Sequence, residues 1–164
     1  MADKQGLPHL TVGGQVHMID VGAKPDTVRT ARAEGWVVTR PEVVALVREG
    51  VAVKGDVLAV ARVAGIQGAK HTADLIPLAH PLALTGVSIE LTLEHDRIRV
   101  EAAVATRGPT GVEMEALAGA AAACLTVYDM LKARDRGMVV GPIQLLSKTG
   151  GRSGTWTRGA DADG

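Results

Sequence analysis

The stretch VSIELTLEHDRIRVEAAV, residues 87–104, decides the fold of this chain. Apolar residues alternate with polar ones over residues 87–93 and again over residues 98–104. A period of two is typical of β-strands that bury one face and expose the other. Because the polar pair His95-Asp96 joins the two segments, the pattern predicts an antiparallel hairpin.

Helical patterns flank the hairpin. Residues 41–48 begin with proline, which suits a first helical turn, and Gly50 suits the end of the helix. The apolar residues between them follow helical spacing. Residues 56–70 predict a second helix, in which glycines allow close packing. Residues 111–134 predict one long helix that stops near Gly137.

The remaining segments complete an α+β arrangement. Residues 17–21 and residues 138–146 predict two further strands. Residues 27–39 are mixed, with a polar face that carries Arg29 and Arg32. An antiparallel sheet covered by helices accounts for these elements.

The composition favours one domain with an aliphatic core. Hydrophobic residues make up 46% of the 164 residues and Phe is absent, so the core must be Val, Leu, Ile and Ala. We predict a single domain over residues 1–156 and a mobile tail over residues 157–164. Cys124 is the only cysteine, which excludes an intramolecular disulfide and indicates core packing.

The charges exclude several classes of partner. Lys plus Arg and Asp plus Glu each number 18, so the chain has no general field for nucleic acid or membranes. From the sequence pattern we expect no signal peptide and no apolar run long enough to span a bilayer. The pattern therefore predicts a cytoplasmic protein without a nucleic-acid or membrane partner.

The alanine-rich run at residues 118–123 has almost no side-chain bulk. Such a surface lets another element approach closely. Packing on the sheet of the same chain and contact with another subunit both explain it at this point.

Two pairs of charged residues lie in the long predicted helix. Asp129 and Lys132 are three residues apart and share a face, either as a surface ion pair or as a tuned proton donor and acceptor. Glu113 and Glu115 point about 200° apart around the helix axis. They are either ordinary partners of the helix dipole or carboxylates that bind an amidine-like ligand edge.

Three loops carry further candidates. His80 precedes a proline, which presents its ring from a stiff loop, although a buried, hydrogen-bonded histidine is the plainer interpretation. Lys54 precedes a helix start capped by Asp56, a setting that attracts anions. Residues 148–154 combine two cations with three glycines, which suits either a phosphate or a flexible tail. Together these features favour acid–base chemistry on a small phosphorylated molecule.

The set of local strings is more specific than any one of them. On these strings the chain resembles the molybdenum-cofactor biosynthesis C family, the cyclic pyranopterin monophosphate synthases, over roughly nine tenths of its length. The strings that carry the resemblance are residues 17–21, 27–29, 54–56, 64–66, 74–78, 110–117, 125–130 and 148–154.

The resemblance implies both a fold and a reaction. The fold is a ferredoxin-like α/β plait in a homohexamer, a trimer of dimers, with active sites at subunit interfaces. The enzyme is a lyase that converts 3′,8-cyclo-7,8-dihydro-GTP, made by a preceding radical enzyme, to cyclic pyranopterin monophosphate and diphosphate. No resident cofactor or metal site is implied, and Mg²⁺ accompanying the triphosphate stays open.

The resemblance also implies roles for individual residues. Asp129 and Lys132 match the acid–base pair, assisted by Lys54 and His80. The contacts with the triphosphate are Arg29, Lys148 and Arg152. The residues of the substrate-binding segments are Leu78, Ala79, His80, Glu113, Met114 and Glu115.

Four positions depart from the family pattern. The family generally has cysteine at Ala79, arginine or lysine at His71 and a basic residue at Pro109, while Leu131 replaces a frequent core cysteine. Ala79 and Pro109 motivate an alternative, a non-catalytic paralogue that binds a phosphorylated purine or pterin. The alanine-rich run motivates a third reading, a structural oligomerisation domain.

Overall fold

The computed structural model describes residues 15–50 and 55–159. Five strands and four helices occur in this part of the chain, and they form the α+β plait-like fold that the sequence predicts. In order they are β1 (Thr27–Val38), α1 (Pro41–Arg48), α2 (Val57–Lys70), α3 (Thr72–Leu75), β2 (Leu84–Leu93), β3 (Arg97–Gly108), α4 (Glu113–Leu131), β4 (Val139–Thr149) and β5 (Trp156–Thr157).

The strands form one antiparallel sheet in the order β2-β3-β1-β4-β5. The predicted hairpin is confirmed, since β2 and β3 pair with Ile89 opposite Ala102 and Leu91 opposite Val100. β1 lies in the middle and is paired along both of its edges, with β3 and with β4. The outer edges of the described sheet therefore belong to β2 and to the short β5.

The central strand β1 is the element that the sequence pattern does not reveal. Its buried residues include Ala31, Ala33 and Val37, which alternate as a strand requires. A Cβ atom built on Gly35 lies only 2.9 Å from Sγ of Cys124 in α4. Because α4 packs directly on β1, the strand needs small residues there, and its hydrophobic signal is correspondingly weak.

Arg29 and Arg32 do not share a face, so that prediction is wrong. Side chains three residues apart in a strand point to opposite sides of the sheet. Arg32 forms an ion pair with Glu101 of β3. Arg29 instead donates from Nη2 to the carbonyl oxygen of Pro109 at 3.2 Å.

Helices α2 and α4 approach each other through glycine. A Cβ on Gly65 lies 3.1 Å from the carbonyl oxygen of Gly119, and a Cβ on Gly68 lies 2.5 Å from the Cβ of Ala122. The run at residues 118–123 therefore packs against α2. It also packs on the sheet, which is one of the two expected explanations, since Ala120 and Ala123 are fully buried in the core and a Cβ on Gly119 would lie 3.5 Å from Cδ1 of Ile89 in β2. The other explanation, contact with another subunit, stays a prediction. The two helices run antiparallel, because the end of α2 meets the beginning of α4.

Helix α4 is the centre of the core. Cys124 is fully buried in it, as predicted, and burial raises the pKa of its thiol to about 12. The expectation that no apolar run is long enough to span a bilayer is wrong by length and composition, because α4, with a mean hydropathy of 1.3, is the one described helix that could cross a membrane. Half of that window is buried inside the fold, however. Such burial is typical of the core helix of a globular domain.

Other element boundaries differ from the sequence predictions. Residues 17–21 form no strand, because this segment lies against a cavity and not at a sheet edge. The last predicted strand extends to Thr149, and β5 follows it, with Thr157 paired to Ser147. Helix α4 ends at Leu131. The division into one domain and a tail stays a prediction, and residues 160–164 lie outside the described residues.

Replacement of Gly68 by alanine should destabilise the protein by about 1–3 kcal/mol, because the added methyl group overpacks the contact between α2 and α4. Chemical denaturation measures the change in the free energy of unfolding. Gly86→Ala is the control, since its Cβ meets only Ala105 at 4.0 Å. Equal stability of the two variants would show that the helices can separate without cost.

Candidate active site

A cavity of about 330 Å³ opens at the beginning of α4. Three segments form its walls: residues 19–24, the loop after α3, and the turn that leads into α4. The residues that line it are Ile19, Val21, Lys24, Leu78, Ala79, His80, Leu82, Thr110, Gly111, Glu113, Met114 and Glu115. All six residues of the predicted substrate-binding segments are among them.

The ring of His80 is fixed by the first of these walls. Its Nε2 atom lies 2.8 Å from the carbonyl oxygen of Ile19. A carbonyl oxygen only accepts, so Nε2 carries the proton in this contact. In the neutral ring, Nδ1 is then the acceptor. Both interpretations of His80 are thus compatible with its position, since it is hydrogen-bonded and also lines the cavity.

Glu115 differs sharply from its neighbour Glu113. Both lie in the first turn of α4, but Glu115 is only 4% exposed. Removal from water raises the pKa of the Glu115 carboxyl above its usual value, and the charge of Glu113 raises it further. A backbone hydrogen bond opposes the shift. Glu115 is therefore a carboxyl that can exchange a proton closer to neutral pH than an exposed one.

A second cavity of about 360 Å³ adjoins the first. His80, Leu82 and Glu115 line both cavities. Lys70 and Asp74 line only the second. Asp74 belongs to the string at residues 74–78, but neither residue was assigned a role in the site from the sequence. The shared side chains, including His80 and Glu115, consequently lie between the two cavities.

Asp129 and Lys132 form the predicted ion pair, with Nζ 2.7 Å from Oδ1, at the far end of α4. The hydrogen bond and charge of Asp129 raise the pKa of Lys132. Both side chains are about half exposed, at 57% and 51%. Because Glu115 and Asp129 are 14 residues apart in one helix, about 21 Å separates them along its axis. Within one chain, the pair is not part of the cavity.

The predicted triphosphate contacts gather at one end of β1 and β4. Arg29 occupies the space beside Gly150 and Gly151, whose φ angles are +94° and +74°, and a Cβ on Gly151 would lie 1.7 Å from its Nη1 atom. Lys148 contacts the hydroxyl of Ser153, and Arg152 is exposed. Pro109, which accepts from Arg29, directly precedes Thr110 in the cavity wall. The basic group therefore adjoins the rim of the cavity.

Lys54 lies outside the described residues, so its predicted role is not tested. The helix start that follows it is as expected, since Oδ1 of Asp56 accepts from the backbone N–H of Ala59 at 2.9 Å. No cluster of three or more His, Cys, Asp or Glu residues suited to a metal occurs within residues 15–50 and 55–159. The expectation that the protein needs no metal stays a prediction.

Fold and cavity together define a class of protein: an α+β plait with a partly buried carboxyl-histidine pocket, cations at its rim and an acid–lysine pair on the same helix. That combination suits acid–base chemistry on a small anionic molecule.

Comparison with known proteins makes the class more specific. Residues 18–151 match the model of the MoaC family. The chain is 60% identical over 157 residues to a protein of Thermomicrobium roseum named cyclic pyranopterin monophosphate synthase, covering 94% of this chain and 95% of that protein. The chain belongs to the MoaC family.

Replacement of Glu115 by glutamine should stabilise the protein at neutral pH. The folded pKa of Glu115 is raised, so its ionised form costs stability as the pH rises through that pKa. Below the unfolded pKa of about 4.3 the acid is protonated in both states and this cost disappears. Thermal unfolding of both proteins from pH 4 to pH 8 measures the difference.

The control for this series is Glu113→Gln, which neutralises the less buried carboxyl of the same turn. We expect the stability gained by Glu115→Gln to grow with pH and that of Glu113→Gln to stay smaller. A difference between Glu115→Gln and the wild type that does not depend on pH would contradict the assigned cause.

Proposed function

We propose that this protein is a lyase that converts 3′,8-cyclo-7,8-dihydro-GTP to cyclic pyranopterin monophosphate and diphosphate, an early step of molybdenum cofactor biosynthesis. Membership in the MoaC family supports the proposal, as does the name of the Thermomicrobium roseum relative. The observation that carries it is the cavity at the start of α4, because a buried carboxyl, a fixed imidazole and an apolar wall suit a purine-derived ring.

The ring system of the substrate binds beside Glu115 in this proposal. Purine-derived rings present adjacent N–H groups along one edge, which a carboxylate accepts well. Leu78 and Met114 supply apolar surface for the ring faces. Ala79 leaves this wall without the thiol that is usual in the family, but its backbone groups are unchanged by that difference. His80 and Glu115 are positioned to exchange protons with ring nitrogens during the rearrangement.

The phosphate end of the substrate lies toward Arg29, Lys148 and Arg152. Ring closure forms a bond from a substrate hydroxyl oxygen to the first phosphorus atom and breaks the bond from that phosphorus to the bridging oxygen. The hydroxyl proton passes to a base of the site, and the electrons of the broken bond leave with the diphosphate. Negative charge accumulates on the departing diphosphate, where guanidinium and ammonium groups stabilise it. Pro109 does not disrupt this arrangement, since its carbonyl oxygen accepts from Arg29.

The proton-transfer pair Asp129 and Lys132 comes from a second copy of the chain in this proposal. About 21 Å separates the pair from Glu115 along α4, and the exposed pair is suited to enter another protomer's cavity. Antiparallel contact of two α4 helices brings the end of each helix to the beginning of the other. The residue Lys54 is assigned to assist at the same site.

The outward surface of α4 supports this pairing. Met114 and Leu125 are exposed on it, Leu125 by 60%, and the half-buried Ala118 and Ala121 lie between them. These residues recur at helical spacing and form an apolar stripe from the cavity to the ion pair. Burying this stripe against its copy removes apolar surface from water. We place this contact in a homohexamer built as a trimer of dimers.

The wider setting follows from the same proposal. The substrate comes from a preceding radical enzyme, and the protein works in the cytoplasm without nucleic-acid or membrane partners. It needs no resident cofactor, and an assay with and without chelator decides whether Mg²⁺ accompanies the triphosphate.

Asp129→Ala should slow turnover strongly. In a coupled assay the radical enzyme makes the cyclised intermediate from GTP, and fluorescence of the oxidised pterin reports product. Loss of a general acid–base group lowers the rate by about 10²–10⁴-fold. Asp96→Ala is the matched control, because it removes an aspartate of the β2–β3 turn that pairs only with the adjacent Arg97 among the described residues, and we expect full activity from it.

A folded wild-type protein that binds the intermediate but forms neither pterin nor diphosphate would refute the lyase. That result would favour the non-catalytic, ligand-binding paralogue. Recovery of turnover in Ala79→Cys would then identify the missing thiol as the cause.

A further inference from the structure

Lys24 is the one lysine or arginine among the described residues that line the first cavity. The same lining contains two carboxylates, Glu113 and Glu115. Lys24 is thus the basic residue of this cavity lining. Neither the sequence pattern nor the triphosphate-binding group at the end of β1 and β4 accounts for it.

The backbone that carries Lys24 is fastened to the cavity. The carbonyl oxygen of Ile19 lies 2.8 Å from Nε2 of His80. The backbone N–H of Gly22 donates to Oδ1 of Asp20 at 2.8 Å, and that of Lys24 donates to the carbonyl oxygen of Val21 at 3.0 Å. These contacts turn the chain between Ile19 and Lys24 and hold the turn beside the imidazole. The backbone of Lys24 is therefore held at the cavity wall, and its exposed side chain extends from this fixed turn.

The ammonium group of Lys24 is not neutralised by the protein residues that the structure describes. No carboxylate among them forms an ion pair with it, whereas the ammonium of Lys132 is paired with Asp129 at 2.7 Å. A strongly hydrated ammonium binds phosphate as a point charge. An unpaired lysine on a cavity wall is consequently available to an anionic part of a ligand.

The size of the cavity decides which part of the ligand Lys24 meets. A volume of about 330 Å³ is near the lower limit for ligand pockets. It accommodates a fused ring system but not a triphosphate chain as well. The chain must leave the cavity, and its first phosphoryl group lies where it leaves. Arg29, Lys148 and Arg152 then serve the outer phosphates.

We propose that Lys24 is a further substrate-binding residue, and that it binds the phosphoryl group nearest the ring system. This inference rests on the proposed function, because it assumes a ligand in which a purine-derived ring carries phosphate. In turnover, Lys24 would bind the phosphoryl group that becomes the cyclic phosphate.

Calorimetric titration with guanosine and with GMP tests the inference, since the two probes differ by that one phosphoryl group. Loss of one charge-assisted hydrogen bond corresponds to about a tenfold to hundredfold weaker affinity. We expect Lys24→Ala to weaken the binding of GMP by that factor and to leave guanosine binding unchanged. Lys24→Arg should retain most of the affinity for GMP. Arg48→Ala, which removes a remote exposed cation, should change neither.

Three results would overturn the inference: wild-type protein that binds GMP no more tightly than guanosine, unchanged GMP binding by Lys24→Ala, or equal losses for both probes. Equal losses of affinity for guanosine and GMP would indicate that Lys24 is a counter-ion of the cavity carboxylates. The titration and the turnover assay distinguish failure of this inference from failure of the proposed function. If Lys24→Ala binds GMP more weakly but the wild-type protein shows no turnover, the phosphate-binding role of Lys24 stands and the lyase is rejected. If the wild-type protein shows turnover but Lys24→Ala binds GMP normally, the lyase stands and the role of Lys24 is rejected.

Discussion

The close contact between α2 and α4 is the constraint on which the site depends. Glycine at positions 65, 68 and 119 lets the two helix backbones approach until side-chain and carbonyl atoms touch. Since the helices are antiparallel, the chain that leaves α2 emerges beside the first turn of α4. The loop with His80 is thereby brought to Glu115, although the two residues are far apart in sequence. The same contact buries Glu115, and that burial gives its carboxyl a raised pKa.

Much of the fold can be predicted from periodicity. The alternation at residues 87–104 predicts β2 and β3 because each strand buries one face with large aliphatic residues. The helix at Pro41–Arg48 and the cap at Asp56 follow from local chemistry that needs no distant partner. β1 escapes prediction because its buried face must be small where Cys124 lies against Gly35. Residues 17–21 were predicted as a strand, but the apolar side chains of this segment line a cavity wall.

The site is only partly predictable, for a related reason. Motifs along the chain make Glu115, His80 and Asp129 candidates for the site, but they do not indicate which of these residues line the same cavity. The helical rise places Asp129 about 21 Å from Glu115, and this follows from their spacing once both belong to one helix. Lys24 carries no local signal of its own. Its position becomes meaningful only because Ile19, five residues earlier, bonds to the ring of His80.

The central claim is that a complete site combines the cavity of one protomer with the Asp129–Lys132 pair of another. Its most direct test mixes two inactive variants, Glu115→Ala and Asp129→Ala, under conditions that exchange subunits, and measures turnover. A mixed pair then contains one intact site, so random pairing restores about a quarter of wild-type activity. No activity in exchanged, correctly assembled mixtures would contradict the claim, because both residues would then act within one chain.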